Sequence, residues 1–410
     1  MFYKFNRAMA TLGILSAFVV ALFFCSEQAE AKTPEVIWAE ELILVSDDTN
    51  PLLVTGGDAE LKGYKKKITD ALTAKLHSAR AAGKLPFTLK EDKDTYEYEG
   101  VFDDVDSEKP VALIPLAIMS DSLHAKYQVK GQSYYKSVVV GSLYLAICKA
   151  GSNSNNWVMV GGVPISGYTV LGDDLNNLLT SPPTKKDEAD AYVRAMTKVI
   201  NEQLNFDDLK KYLQNLKNNK IPNTYEVMDV KLSSKKSAEI FGDQQEKIKA
   251  MLGTFYTAKF QETSKAVVYP PVAMIGKDTG GDMSAVGNSS KADDVSDTIF
   301  LLTGGKSTTG ATMTLSMPTP DHKIHLDFAG AAWQELQTKK ESDVVKNMGY
   351  KALLKMHVDN QAEKSVDDVK SVQYIIPPSG SIDSLHAERL PDIFTELLIR
   401  LADYLATGKK

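Results

Sequence analysis

The chain has 410 residues, of which 43% are hydrophobic and 24% charged. These are the proportions of an ordinary folded protein with room for two or three domains. Its net charge is −6, with acidic and basic residues interspersed, so it lacks the basic face a nucleic-acid partner needs and no nucleic acid is expected.

Lys4 and Arg7 precede an apolar run from Ala8 to Cys25, and Ala29-Glu30-Ala31 has the small-x-small pattern a signal peptidase accepts. These residues predict a signal peptide over 1–31, cleaved after Ala31. The mature chain is then exported, periplasmic or extracellular, with no transmembrane segment. The alternative is an uncleaved anchor, since the run is near spanning length. Lipidation at Cys25 is disfavoured by the bulky Phe23-Phe24. After cleavage only Cys148 remains, so no intramolecular disulfide can form.

Val36–Val45 reads as a strand, and Leu61, Tyr64, Ile68, Leu72 and Leu76 recur at helical spacing. Thr88 to Lys109 is acidic and reads as a loop with no counterpart in the second half. Pro110–Met119 is a continuous apolar strand. In Tyr135–Cys148, Val138 and Val140 lie on one face and Val139, Leu143, Leu145 and Ile147 on the other, which predicts a central strand covered on both sides. Trp157–Leu171 is its hairpin partner, and Pro164 marks a bulge or a sheet edge there. Ala189, Tyr192, Val193, Met196, Ile200 and Leu204 make a helical stripe that continues through Leu216. A linker follows at 218–223.

The order then repeats. Tyr225–Leu232 is a strand, and Ile248, Leu252, Phe255 and Lys259 mark a helix. The strings Thr73-Ala74-Lys75-Leu76 and Thr257-Ala258-Lys259-Phe260 lie on corresponding helices. Ala266–Ile275 is matched with Pro110–Met119, and strands Thr298–Thr303 and Ala311–Phe328 with the first hairpin. Ser142-Leu143-Tyr144-Leu145-Ala146-Ile147 is echoed by Ser296-Asp297-Thr298-Ile299-Phe300-Leu301, with Gly151 on Gly305, Met159 on Met313 and Pro164 on Pro318, at one lag of about 154 residues. A helix is read after Glu341 from Val345, Met348, Ala352 and Met356. Val372–Ile376 is one more strand, and Ile393, Leu397, Leu401 and Leu405 form a last helix with Pro391 in its first turn. This strand and helix either open a third copy or complete the second domain. The prediction is an α+β fold of two tandem, internally duplicated domains, 32–220 and 221–410, each a mostly antiparallel sheet packed with amphipathic helices.

Candidate chemistry is sparse. Thr303-Gly304-Gly305-Lys306-Ser307-Thr308 lacks the first glycine and the following helix of a phosphate-binding loop, and reads as a hairpin turn. Asp321-His322-Lys323-Ile324-His325-Leu326-Asp327 holds the closest-spaced histidines. On a strand Asp321, His325 and Asp327 share a face and His322 lies opposite, so these three are the candidate metal or acid/base residues, against a solvated strand face. Asp103, Asp104, Asp106 and Glu108 lack the spacing of a calcium loop, and Asp173-Asp174 reads as a helix-entry cap. No Gly-x-Ser-x-Gly elbow is present, and Ser284 does not fit one. Asn288-Ser289-Ser290 is a glycosylation sequon only in a eukaryotic secretory route. His77, His124, His357 and His386 are isolated in sequence, with His77 and His357 read at helix ends. Tyr134, Tyr135, Trp157, Tyr168 and Trp333 line either a core or a cleft. No catalytic residue, cofactor or metal is assigned.

The expected function is therefore a non-catalytic, exported binding or assembly module for a protein partner in a bacterial envelope, using unpaired sheet edges or the C-terminal helix. The alternatives are a metal-dependent hydrolytic enzyme with His325 and Asp327 in the second domain, or a small-ligand-binding protein using the inter-domain cleft.

Overall fold

The strand expected to be covered on both sides is the centre of the molecule. The computed structural model describes residues 35–45, 47, 49–91, 111–129, 132–150, 156–172, 178–206, 209, 213, 223–264, 266–271, 298–302, 313–336, 345–375 and 382–409. The central strand, β5 (Gln132–Ala150), is buried without a break from Ser137 to Cys148. Before it come β1 (Glu35–Trp38), the short β2 (Ile43–Leu44), α1 (Asp58–Ala81), β3 (Thr88–Glu91) and β4 (Val111–Val129); after it come β6 (Asn156–Leu171) and α2 (Lys185–Gln203). The second half contributes β7 (Thr224–Lys231), α3 (Lys235–Phe241), a 3₁₀ turn at Gly242–Gln244, α4 (Gln245–Ser264) and β8 (Val267–Tyr269). The strands β9 (Thr298–Leu302), β10 (Met313–Met317), β11 (His322–Leu336), β12 (Val345–Val358) and β13 (Lys364–Ile375) follow, and α5 (Ile382–Thr407) ends the fold.

The fold is α+β, with two mixed sheets. The first sheet has the order β3-β1-β4-β5-β6-β10-β9, with β2 also on β4; the second has the order β13-β12-β11-β7-β8. The first five strands of one repeat the other in reverse listing. β1 runs parallel to both β3 and β4, and β7 runs parallel to both β8 and β11. β4-β5-β6 and β11-β12-β13 are antiparallel meanders. Each unit is thus strand, helix, edge strand, three-strand meander, helix.

The duplication is present, but its frame differs from the constant lag. β5 and β6 correspond to β12 and β13, not to β9 and β10. β9 and β10 are an inserted hairpin that joins the first sheet, where β10 lies parallel to β6. Thr73–Leu76 and Thr257–Phe260 do sit on the counterpart helices α1 and α4. β3, inside the stretch read as a loop without counterpart, holds in the first sheet the edge place that β8 holds in the second. The expected strand Ala311–Phe328 is two strands, β10 and β11, parted at Pro318-Thr319-Pro320 and belonging to different sheets. The helix expected after Glu341 is β12, whose alternate residues Met348, Tyr350, Ala352, Leu354, Met356 and Val358 are buried. His357 accordingly lies on a strand. Pro391 lies inside α5 rather than in its first turn, and β13 with α5 completes the second unit. The N-terminal segment, the acidic run 103–108, Asp173-Asp174, Ser284, Asn288 and Thr303–Thr308 lie outside the described residues, as does most of the continuation to Leu216.

The layers follow from which face is apolar. On α1, Tyr64, Ile68, Leu72 and Leu76 form the buried stripe. α2 starts at a reciprocal cap, where Thr184 Oγ1 accepts from Asp187 N and Asp187 accepts from Thr184 N. Both helices cover one face of the first sheet, with Val139, Leu143 and Ile147 in their core. The other face presents Met119, Leu123, Val138 and Val140, which join the core formed by α4, α5 and the second sheet. The stacking is helices, sheet, helices, sheet. Each fully buried aliphatic side chain in this shared layer contributes roughly 1.5–3 kcal/mol. Gly141 is where α2 comes closest, since a Cβ there would collide with the Tyr192 ring.

Polar contacts fasten the same junction. Lys136 Nζ lies 2.7 Å from Asp392 Oδ1, with both side chains nearly buried. Lys247 Nζ lies 2.9 Å from Asp121 Oδ1. The Gln244 amide accepts from His124 N and donates to His124 O, closing the free backbone of β4 as a neighbouring strand would.

Candidate functional site

The three residues singled out on the His-Asp strand are not gathered at one point. Asp321, just before β11, accepts from Thr224 N at 2.9 Å and Thr224 Oγ1 at 3.1 Å, and its own N–H donates to Thr224 Oγ1. Asp327 accepts from Ser233 N at 3.2 Å and Ser233 Oγ at 2.8 Å. The two carboxylates thus clasp β11 to opposite ends of β7. Between them His325 Nδ1 is 3.1 Å from Asp229 Oδ1, and its Nε2 is 3.6 Å from Asp359 Oδ1. The His357 ring is 6.3 Å away, while His322 packs on Tyr225. Among the described residues, no group of three or more His, Cys, Asp or Glu is arranged to hold a metal ion.

A second polar cluster was not legible in the sequence. Glu188, in the first turns of α2, is 1% exposed. It accepts from Ser137 Oγ at 2.5 Å, from Ser122 Oγ at 2.9 Å and from His124 Nε2 at 2.6 Å. Burial raises its carboxyl pKa, but the hydrogen bonds from His124, Ser137 and Ser122 and the charge of His124 outweigh burial and hold it below the usual range. Serine, histidine and carboxylate are all present, yet the arrangement is not a nucleophilic relay. Such a relay needs the serine on one ring nitrogen and the carboxylate on the other. Here Ser122 Oγ and Glu188 Oε1 both address His124 Nε2. The cluster ties α2 to the β4–β5 hairpin. Cys148 is fully buried and burial pushes its thiol pKa up, so it is no nucleophile.

Two openings of similar size are found among the described residues, one of about 480 Å³ between α1 and Glu40–Leu42 and one where the units meet. The second, a cavity of about 510 Å³, runs beside Val163, Pro164, Ile165 and Ser166 of β6. Val199, Gln203 and Leu204 at the end of α2 form one wall; Phe255, Ala258 and Gln261 of α4 form the other. Lys259 and Glu262 at the rim pair with each other at 3.0 Å. Among the described residues β10 pairs with β6 only over Asn156–Val158, so the edge of β6 beyond it has no strand partner. Pro164 therefore marks an edge, and the bulge is close by on the same strand, where Val160 is the extra residue between Met159 and Gly161, opposite Ile147 and Cys148 of β5.

None of the aromatics considered as cleft lining is among the residues that line this cavity, and Tyr168 lies beside it, against the lining residue Phe255. Tyr168 is 48% exposed and its ring centroid lies 5.9 Å from that of Phe255. Trp157 is core, Tyr134 stacks on Tyr127, and Trp333 packs against Phe394 with Lys236 over its ring.

No family model matches the chain, and no curated protein matches it. Among solved structures it is similar to the crystal structure of rare lipoprotein B from Shewanella oneidensis, with a TM-score of 0.17 and 10% sequence identity. That match covers 21% of this chain and 65% of the other, so the chain spans less than two thirds of that protein. Nothing about this chain's activity follows from a likeness of that size.

Proposed function

We propose that the protein is a non-catalytic binding module, exported to a bacterial envelope, that holds a protein partner in the cleft along the free edge of β6. The observation that carries this reading is the cleft itself: an opening between the two units, lined by apolar and polar side chains together and running along a strand edge that has no strand partner among the described residues. The basic, then apolar, then small-residue order of residues 1–31 supports export. The two histidine-containing clusters support it indirectly, because their polar atoms are engaged in joining elements.

A photo-crosslinking residue placed at Gln203 and at Lys259, on opposite walls, tests the proposal in native envelopes. One and the same adduct from both positions, absent from Lys67 on α1 and competed by excess unlabelled protein, supports it. Adducts scattered equally over all positions, or none, overturn it. The cleft volume also falls in the range of small-ligand sites. A thermal-shift response to a small molecule that is lost in Phe255→Trp, with no protein adduct, would favour that second reading.

A further inference from the structure

We infer that the free edge of β6 receives an extended, uncharged polypeptide segment by strand addition. This rests on the binding reading above and names its mode and ligand class.

Backbone alternation fixes which groups face outward. Gly162 O accepts from Gln261 Nε2 at 2.6 Å, so Gly162 points away from β5. Residues two apart on a strand share that direction, so Pro164, Ser166, Tyr168 and Val170 present their backbone to the open side. Pro164 then loses no bond to β5, because its missing N–H belongs on the open edge. The stretch from Val163 to Val170 is about 26 Å long.

Free edges are normally blunted by charge. The other long edge follows that rule: β13 carries Lys364, Asp367, Asp368 and Lys370. β6 has no charged residue along its whole length, Asn156 to Leu171. The walls mix apolar side chains with the uncharged polar Gln203, Asn205 and Gln261, and the rim charges neutralise each other. An uncharged strand suits this lining, and the fold already supplies one. β10, Met-Thr-Leu-Ser-Met, pairs in parallel on the same edge at Asn156, Trp157 and Val158, with Leu315 and Met317 buried in the first core. The chain leaves the edge at Pro318 and Pro320, where the open stretch begins. The cleft thus continues an interface that the protein makes with itself.

A labelled peptide with the sequence of residues 311–317 is the probe, titrated into the full chain and followed by fluorescence anisotropy. Saturable, salt-insensitive binding is expected. N-methylation of alternate peptide amides should weaken it about tenfold in one set of positions and leave it unchanged in the other, the signature of a strand ladder. Tyr168→Pro, which removes one outward N–H, should weaken it similarly, and Tyr168→Lys should do so through charge. Val369→Pro on β13 should have no effect. Thermal melts check that each variant is folded. No saturable binding, or equal loss from either methylation set, overturns strand addition. If the wall positions still give their common adduct in that case, the binding module stands and only its mode is wrong.

Discussion

The two sheets share strand order and sense, yet one is covered on both faces and the other on one. The second face of the first sheet offers Met119, Leu123, Val138 and Val140, and it takes the helices α4 and α5. The corresponding face of the second sheet offers Lys351, Leu353, Lys355 and His357 from β12, Asp367 and Val369 from β13, and His325 and Asp327 from β11. Topology alone therefore does not decide how many units stack. A polar outer face closes the series at two, as the end repeats of solenoid proteins do. The salt bridge Lys351–Asp367 and the hydrogen bonds of Asp327 are the solvent-side counterpart of the apolar contacts in the first sheet.

This contrast can be broken by substitutions on either side of it. The largest effect is expected from Val140→Asp, which buries an unpaired charge between the units. It should cost about 4 kcal/mol or abolish folding. Leu353→Asp, at a matching position on the open face, should cost less than about 1 kcal/mol. Chemical denaturation of both variants decides; equal losses would end the comparison.

Next is Lys136→Met, which leaves Asp392 buried with only the more distant Arg389, 3.4 Å away. A loss of about 3 kcal/mol is expected, and the double variant Lys136→Met with Asp392→Leu should recover most of it. Glu188→Gln should cost about 2 kcal/mol, because Ser122, Ser137 and His124 lose a charged acceptor. The pH dependence has a definite sign. With its carboxyl held low in the folded state, Glu188 contributes fully above the unfolded value of about 4.3. That contribution is lost as pH falls through the folded value. Denaturation midpoints across the acid range should fall in the parent and fall less in Glu188→Gln. The smallest effect is Asp327→Ala, about 1 kcal/mol from the lost clasp on Ser233.

The legible parts of the fold were those where one period or one residue type decides. Apolar residues on both faces of Tyr135–Cys148 announced a doubly covered strand, and Pro164 announced an edge. β12 was misread because Met348, Ala352 and Met356 are four apart, a spacing that satisfies both a helical face and a strand face. Tyr350, Leu354 and Val358 complete the alternation and tip it to a strand with two sheet neighbours. The constant lag was misleading for a related reason: β5–β6 and β9–β10 are both apolar antiparallel pairs, and they occupy one sheet. Of the candidate sites, the strand face shared by His325 and Asp327 was readable from alternation, but their partners on β7 and α3's leading residues were not. The lock on Glu188 joins residues more than fifty positions apart, so no local spacing could reveal it. The cleft depends on where β10 stops, which the prolines at 318 and 320 hint at only once the sheets are known.

α5, the last of the described helices, covers a surface made within the first third or so of the chain. Until Ile382–Thr407 has emerged, Leu123, Val138 and Val140 lack one of the two helices that close their core, and the early half carries a partly bare apolar sheet. Translation therefore holds that half open for the time needed to make more than two hundred further residues. A nascent chain in this condition is a natural client for holdase chaperones.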